Sequence, residues 1–588
     1  MMKMKKLMVL MLAGLMSLGA TACGGGGGDW GSAPATSSDS NNVTSESASE
    51  EVAGVTNPYK LKVYSFTGGY GEEWLNTLAA RYKKERAGKK FTVDGKEYDG
   101  VDFEFTKEKT TMTGMMTSGV HYDVWFQEQV YYNQILQNGN IFTDMTDVLT
   151  SENPYEPGVT LESKMSDYQK EYYTRDGKYY GIPHYAGYVG IAYNRAMFDK
   201  YNWYFKADYT AEEFANIDCF VSKSETTKTA GPDGLVGTDD DGLPTTYDEF
   251  FVLCEYISSK CSPITWAGKY RQEYLNWFLT AMTANYEGLD QMSLNYTFDG
   301  TATNLISVDA SGNVTPLPAT EITPDNGYEL AKQAGKYYAL KFLNNIIKDG
   351  YQTEGATNTV YEQTTAQEDF VLSDGSQTSD AAMLIDGCWW EMEAARTFNK
   401  LQQQTGKNYK DNFAWMPLPM ATQAGADDRA TKLSAGNNGY TLTDTHNSLA
   451  FIGKGVTADV YALAKDFLQF AYTNESLAEF SMITDTTRAL NYTMTPEQKA
   501  KMSTFGRSLM DMQESADIVY TFSKNAFYKA NEASFSEYRT SFSSQYTTTS
   551  ESVVIVIDEF RKNVTAETYF TGLYNYKQAL WNSGSIVK

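Results

Sequence analysis

Apolar and polar residues alternate over 60–66, Lys-Leu-Lys-Val-Tyr-Ser-Phe, and this period of two predicts a β-strand with one buried face. From Glu72 the period changes. The apolar residues Trp74, Leu78 and Tyr82 recur at every fourth position and predict an amphipathic helix. Two more strands and a second helix are expected at 101–105, 122–126 and around 132–136. Strand, helix, strand, helix is the order of a parallel sheet with helices on both faces, so we expect an α/β fold.

Later segments show the same helical spacing. Thr246 and Glu249 stand three residues apart, as in a capping box, and they predict a helix whose apolar residues Phe250, Cys254 and Ile257 share one face. A second helical stripe is made by Val460, Leu463, Phe467 and Phe470. We expect both stripes to pack in a core rather than to bind a ligand.

The chain begins with the features of a secretory signal. Met1–Lys6 is basic, Leu7–Leu18 is apolar, and small residues stand directly before Cys23. The apolar segment is too short to cross ~30 Å of hydrocarbon as a permanent helix. We therefore expect residues 1–22 to be a removable signal peptide. Residues 23–57, which are rich in Gly and Ser, are expected to form a disordered tether.

The small residues before Cys23 resemble the lipobox of bacterial lipoproteins. The resemblance implies cleavage before Cys23 and attachment of lipid to its sulfur, although Ala20 stands where the lipobox prefers a leucine-like residue. The alternative is a soluble secreted protein with an incidental cysteine. As a lipoprotein, the chain would be anchored at the extracellular face of the bacterial cytoplasmic membrane, with the lipid as its only membrane contact.

Composition and charge narrow the classes of partner. The 588 residues carry a formal net charge of −25, and a surface this acidic repels nucleic acid and anionic lipid. Aromatic residues make up 14%, with 43 Tyr and 10 Trp. Their flat rings suit a ligand with apolar and hydroxyl faces, although exported proteins also tolerate many surface tyrosines. The three histidines are far apart, which argues against a histidine-based catalytic or metal centre, and no P-loop or dinucleotide fingerprint is present.

Four cysteines remain besides Cys23, at Cys219, Cys254, Cys261 and Cys388. Their irregular spacing contains no CxxC pair and predicts neither a disulfide framework nor a zinc site. Four buried free thiols are expected, with one disulfide as the alternative.

Several short motifs, in a fixed order, resemble a known family. Gly177–Pro183 reads Gly-Lys-Tyr-Tyr-Gly-Ile-Pro, and a long strand ending in Tyr193-Asn194 follows it. Further motifs are Leu243–Phe250, Pro263–Tyr270, Ala382–Trp390, Met416–Pro419, Ser434–Gly436 and the helical run Ala458–Tyr472 before Asn474-Glu475. Together they resemble the family 1 extracellular solute-binding proteins of ABC importers, the maltose-binding type, over nearly all of residues 58–588.

This resemblance implies a periplasmic-binding-protein-like fold of type II. Two discontinuous α/β lobes would be joined by a hinge and would close on a ligand in the cleft between them. The N-terminal lobe would hold residues 58–188 and 436–485, and the C-terminal lobe residues 195–415 and 495–588. The chain would cross between lobes near 188–194, 413–440 and 483–494.

The resemblance also points to site residues. In the maltose-binding type a tryptophan after the strand that corresponds to Ala381–Ile385 stacks on a sugar ring, so Trp389 and Trp390 are candidates, although one of an adjacent pair more often packs in the core. Further candidate ligand-binding residues are Trp266, Tyr270, Tyr274, Tyr70, Trp125, Glu128, Tyr185 and Asp386, at strand ends and turns. Core packing is the alternative for the aromatic residues. Asp386, Glu391 and Glu393 could accept hydrogen bonds from sugar hydroxyls, although a solvated helix start explains the two glutamates equally well.

An acidic loop between Gly231 and Gly242 suggests a possible calcium site. Asp233, Asp239 and Asp241 could supply oxygen ligands to a hard cation. However, Gly237 stands where an EF-hand has its first acid, and no Glu closes the loop. A solvated acidic turn is the alternative, and no cofactor is required by the sequence.

We therefore expect a lipid-anchored, monomeric binding protein that delivers an oligosaccharide to the permease subunits of an ABC importer and is not an enzyme. One alternative is a secreted glycoside hydrolase, which needs two carboxylates ~5–5.5 or ~6.5–9.5 Å apart across the cleft. Another is a binding protein for a different solute, such as a peptide.

Overall fold

The structure is a computed structural model that describes residues 53–109, 121–128, 130–138, 141–421, 440–445, 447–535, 542, 554–584 and 586. The predicted signal peptide, Cys23 and most of the predicted tether lie outside the described residues. So do residues 434–436, which form one of the family motifs.

The two larger sheets and one parallel pair contain eleven strands. They are β1 (Tyr59–Phe66), β2 (Val101–Glu108), β3 (Val124–Gln127), β4 (Ile182–Pro183), β5 (Val189–Asn194), β6 (Ser262–Thr265), β7 (Ala381–Gly387), β8 (Phe413–Met416), β9 (Thr441–Asp444), β10 (Leu449–Ile452) and β11 (Asp517–Tyr520). Short two-stranded pairs join Phe91–Val93 to Lys96–Tyr98, Glu152–Asn153 to Glu156–Thr160, Thr174–Arg175 to Lys178–Tyr179, Gly300–Ala302 to Thr320–Ile322, and Ile306–Val308 to Val314–Pro316.

The helices surround these sheets. They are α1 (Glu73–Arg86), α2 (Tyr132–Asn138), α3 (Thr146–Thr150), α4 (Asp167–Tyr173), α5 (Arg195–Tyr201), α6 (Ala211–Ala215), α7 (Tyr247–Ser258), α8 (Arg271–Thr297), α9 (Ala334–Asp349), α10 (Gln363–Leu372), α11 (Trp390–Glu393), α12 (Ala395–Thr405), α13 (Ala458–Ala471), α14 (Asn474–Thr484), α15 (Pro496–Lys499), α16 (Thr504–Ser515), α17 (Ala526–Ala530), α18 (Glu532–Phe535), α19 (Val556–Phe560) and α20 (Ala566–Asn582). The longest, α8, kinks at Gly288, where φ is 75°.

The first sheet has the strand order β4-β10-β3-β1-β2. β1 pairs in parallel with both β2 and β3, β10 pairs antiparallel with β3, and the edge strand β4 pairs antiparallel with β10. The predicted alternation of strands and helices is therefore confirmed, and the carboxyl ends of β1 and β3 meet at one edge.

The second sheet has the order β6-β7-β5-β8. β6 and β7 are parallel, and β5 runs antiparallel to both of its neighbours, β7 and β8. The start of β5 at Val189 therefore lies opposite the end of β7 at Gly387. The chain passes from the first sheet to the second between β4 and β5. The two-lobed α/β fold predicted from the sequence is thus observed.

The predicted helix faces pack as expected. In α1, Trp74, Leu78 and Tyr82 are buried, and in α7 the apolar stripe is buried too. At the start of α7, the N–H of Glu249 donates to Thr246 Oγ1 at 3.1 Å, and the N–H of Thr246 donates back to Glu249 Oε2 at 3.0 Å. This reciprocal pair satisfies two backbone donors that the helix leaves free.

The four described cysteines are buried and form no disulfide. Burial raises the pKa of the Cys388 thiol to about 12, so this residue is an unreactive core thiol. In the part of the chain that the structure describes, no helix has the length and apolar character needed to cross a membrane.

The parallel pair β9–β11 joins two segments that the sequence assigned to different lobes. β9 belongs to the predicted N-terminal lobe and β11 to the predicted C-terminal lobe. The lobe boundaries remain a prediction. The pair β9–β11 is a direct backbone contact between the two predicted lobes.

A buried carboxyl also ties the late part of the chain to the first lobe. Glu532 is 2% exposed and accepts hydrogen bonds from the hydroxyl of Tyr172 and from the backbone N–H groups of Asn133, at 2.9 Å, and Gln134, at 3.2 Å. Burial is the main reason why the pKa of Glu532 is raised from 4.5 to about 7.

A raised carboxyl pKa makes the folded state hold a proton that the unfolded state has lost. Stability contributed by Glu532 is therefore present below the unfolded pKa and is lost as pH rises from about 4.5 to about 7. We expect Glu532→Gln to remove up to about 3 kcal/mol of this pH dependence. Urea unfolding at pH 5 and pH 7.5 measures it. Glu212→Gln, at an exposed residue, is the control. An equal pH dependence in wild type and Glu532→Gln would contradict the raised pKa of Glu532.

Candidate functional site

Four segments from the two sheets meet where the lobes face each other. The turn Thr67–Gly71 follows β1, Glu128 follows β3, Tyr185 follows β4, and Trp389 follows β7. These residues form the interlobe surface. Ligands of open α/β sheets bind outside the carboxyl ends of strands, and β1, β3 and β7 all end here.

Tyr70 connects the lobes at this surface. Its ring stacks on Tyr185 with centroids 4.2 Å apart and meets Trp389 edge-on at 6.5 Å. Its hydroxyl donates to the carbonyl of Ala186 at 3.1 Å. Burial raises the pKa of Tyr70 well above its ordinary value, so the phenol stays protonated and acts as a donor.

Two glycines let the turn approach its neighbours closely. A Cβ on Gly69 would lie 2.5 Å from Trp389 Cδ1, and a Cβ on Gly68 would lie 2.5 Å from Glu128 Oε1. Real Cβ contacts are not this short, so no side chain fits at either position without movement. The backbone of the first lobe therefore rests directly on the indole of the second.

Trp389 is held by aromatic residues of α8. Its ring lies 6.1 Å from that of Trp277, edge-on, and Trp277 in turn lies 5.6 Å from Tyr274. The hydroxyl of Tyr274 accepts a hydrogen bond from Trp389, an effect that lowers the Tyr274 pKa against the larger rise caused by burial. The indole is thus fixed in place, with 6% of the residue exposed.

Two carboxyls and an amide lie beside Trp389. The amide of Gln367 donates to Asp386 Oδ2 at 3.0 Å and to Glu393 Oε2 at 2.7 Å. Burial raises the pKa of Asp386 well above its ordinary value, and the charge of Glu393 adds to the effect. Burial also raises the pKa of Glu393, with Glu128 adding to the rise and Lys109 opposing it.

Asp386, Glu393 and Gln367 together can both donate and accept hydrogen bonds. A protonated carboxyl donates and accepts, an ionised one accepts, and an amide does both. Beside a flat indole, such a polar group set suits a ligand with an apolar face and hydroxyl edges.

The structure brings together six of the candidate residues, namely Tyr70, Glu128, Tyr185, Tyr274, Asp386 and Trp389. Trp390 points elsewhere. It is fully buried, and its ring centroid lies 5.3–6.0 Å from those of Phe370, Phe398, Phe413 and Phe505. It packs in the core of the second lobe.

Trp125 lies within the first lobe. It stacks on Phe451 at 5.5 Å, contacts Tyr64 at 5.1 Å, and donates its indole N–H to the carbonyl of Tyr122. Trp266, after β6, is fully buried. Tyr270 is half-buried beneath the ammonium of Lys269, 5.1 Å from its ring centre.

Sequence reasoning did not select Trp277 or Gln367. The spacing of three residues between Tyr274 and Trp277 on one helix would have placed both on the same face. Gln367 gave no signal, because its role comes from tertiary contact with Asp386 and Glu393. Glu393 was considered but not selected.

The acidic loop uses its carboxylates internally. Asp233 Oδ1 accepts from the N–H of Leu235, Asp240 Oδ2 from the N–H of Asp233, and Asp241 Oδ2 from the N–H of Gly237, at 2.7–2.9 Å. Over the described residues, no group of three His, Cys, Asp or Glu side chains could hold a metal ion. Calcium binding at Asp233, Asp239 and Asp241 stays an untested prediction.

Comparison with known proteins gives the family. A profile of bacterial extracellular solute-binding proteins matches residues 77–504. A search of curated proteins gave no match.

Among solved structures, a chitin oligosaccharide binding protein is similar over 89% of this chain and 99% of its own, with a TM-score of 0.50 and 12% identity. A structure titled for xylan utilization by the thermophilic bacterium Caldanaerobius polysaccharolyticus is similar over 88% of this chain and 99% of its own, with a TM-score of 0.51 and 12% identity. At such identity these two likenesses show the fold alone. The family profile covers more than half of the chain, and the chain therefore belongs to the bacterial extracellular solute-binding proteins.

Proposed function

We propose that this protein captures a carbohydrate, an oligosaccharide, between its two lobes and presents it to the permease of an ABC importer. The observation that carries the proposal is the position of Trp389. Its indole lies at the end of β7 against the turn Thr67–Gly71 of the other lobe, with Asp386 and Glu393 close by.

The energetics of sugar binding fit these groups. The axial C–H groups give one face of a sugar ring an apolar character, so an indole can shield that face from water. The ring hydroxyls at the edge then need donors and acceptors, which Asp386, Gln367 and Glu393 offer. Of the two solved structures of similar fold, one is named a chitin oligosaccharide binding protein and the other is titled for xylan utilization. Both names are consistent with a carbohydrate ligand.

Lobe movement would couple capture to transport. The turn Thr67–Gly71 packs on Trp389, so the indole is largely covered when the lobes touch. A sugar entering between them would replace that contact and would bridge the lobes itself. Such a ligand shifts the population toward one lobe arrangement, which a permease can recognise.

Calorimetric titration with a panel of oligosaccharides tests the proposal. We expect heat and a change in tryptophan fluorescence with at least one member, and mass spectrometry of the released ligand should recover it unchanged. Absence of binding to every sugar, or recovery of shortened chains, would overturn the proposal, the second result in favour of a hydrolase.

Membrane attachment through Cys23 is a further part of the proposal. We expect the wild-type protein to remain in the membrane fraction of bacterial cells and to incorporate radiolabelled palmitate. Cys23→Ala should remove the label and release the protein, because the lipid is its only membrane contact. Cys219→Ala, at a buried thiol, is the matched control. Membrane retention of Cys23→Ala would contradict the anchor.

A further inference from the structure

A small cavity lies within the first lobe, behind the interlobe surface. It is bounded by α1, β3, the residue that follows β4, and the helices α13 and α14. Its lining includes Trp74, Phe126, His184, Phe480 and Arg488. The cavity volume is about 10 Å³, which is room for one water molecule or one ion of similar size.

Arg488 brings a positive charge to this cavity. The residue is 4% exposed, and among the described residues no carboxylate forms an ion pair with it. Its guanidinium lies over the ring of Phe480 at 4.3 Å, and its Nε has no hydrogen-bond partner. A buried charge without a counter-charge is costly, so the site calls for an anionic or strongly polar partner.

The contact with Arg488 fixes the hydrogen of His184. Arg488 Nη2 lies 2.8 Å from His184 Nδ1, and because a guanidinium can only donate, Nδ1 must accept. Burial, followed by the charge of Arg488, lowers the pKa of His184 well below its ordinary value, so the ring is neutral. Its single hydrogen therefore sits on Nε2, a fully buried atom without a partner.

Trp74 supplies a third donor. Its indole N–H is buried without a partner, and its ring centroid lies 5.1 Å from that of His184. The cavity wall also includes Ser476 and Glu479, but both already accept hydrogen bonds from Arg81, at 3.2 and 2.8 Å. Three unsatisfied N–H groups and one uncompensated positive charge thus belong to residues that line the same space.

We propose that this cavity is a binding site for a small monoatomic anion, a halide such as chloride. A water molecule accepts two hydrogen bonds and carries no charge, so it would leave one donor unsatisfied and Arg488 uncompensated. A halide accepts from all three N–H groups and neutralises the guanidinium.

The anion would stabilise the part of the interlobe surface that contains Tyr185. The rings of His184 and Tyr185 are 4.1 Å apart, and Tyr185 in turn stacks on Tyr70. Holding His184 in one orientation therefore supports the aromatic pair that faces the second lobe. This inference is independent of the identity of the transported solute.

Crystals of the protein soaked in sodium bromide provide the direct test. We expect an anomalous bromine peak between Trp74, His184 and Arg488. In solution, thermal unfolding should shift upward with chloride or bromide relative to gluconate at the same ionic strength, since a ligand of the folded state stabilises it.

Two variants distinguish halide binding in this cavity from a general effect of salt on stability. Trp74→Phe removes one donor to the anion, and we expect the half-saturating bromide concentration to rise about tenfold. Trp415→Phe is the matched control, because its indole N–H is also buried without a partner but the residue does not line this cavity.

Each result decides for or against the site. An anomalous peak, a halide-specific shift and weaker binding in Trp74→Phe alone support it. An ordered water without anomalous signal, equal unfolding in halide and gluconate, or an equal response of the two variants would overturn it.

Discussion

Trp389→Ala is expected to weaken oligosaccharide binding by about 30-fold or more, because truncating a central, desolvated aromatic residue typically costs about 2–4 kcal/mol. The indole lies against the opposite lobe and is fixed by Trp277 and Tyr274, so the variant loses a prearranged surface rather than a mobile one. Calorimetric titration with the best ligand of the panel measures the loss.

Two variants control this experiment. Trp389→Phe keeps a flat apolar ring and should retain part of the affinity. Trp125→Phe alters a tryptophan that stacks on Phe451 inside the first lobe, and it should bind the sugar as wild type does. Unchanged affinity in Trp389→Ala, with folding intact, would remove Trp389 from the site.

Gly69→Val is expected to prevent the two lobes from touching. A Cβ at this position would lie 2.5 Å from Trp389 Cδ1, and valine adds two methyl groups beyond it. Each lobe should fold normally, while the radius of gyration from small-angle X-ray scattering should exceed that of wild type. Sugar affinity should fall about tenfold or more, because the valine side chain would occupy space against the indole that the sugar ring has to enter.

Gly181→Ala serves as the control for Gly69→Val. Its added Cβ would meet the side chain of Leu449 at 3.3 Å, within the first lobe and away from Trp389. We expect its radius of gyration and sugar affinity to match wild type. A Gly69→Val protein with wild-type scattering and affinity would show that the contact between the turn and Trp389 is not part of ligand capture.

The elements that could be predicted from the sequence are those with local causes. The period of two before Phe66 and the period of four from Trp74 produced β1 and α1 as expected. The capping box at Thr246 depends on residues three positions apart and was also found. In each case the signal and the structure involve neighbouring residues.

Features that depend on distant contacts could not be predicted in the same way. Trp389 and Trp390 are adjacent, and only the packing of Phe370 and Phe413 around Trp390 separates their roles. Gln367 gains its role from two carboxyls that lie 19 and 26 positions later in the chain. Tyr185 becomes a partner of Tyr70 only when residues 115 positions apart are brought together (185 − 70).

The most direct measurement is a crystal structure of the protein grown with the tightest-binding oligosaccharide of the panel. The account predicts an intact sugar between the lobes, with one ring face on Trp389 and hydroxyls within hydrogen-bond distance of Asp386 or Glu393. A sugar bound elsewhere on the surface, or a shortened chain in the density, would contradict it.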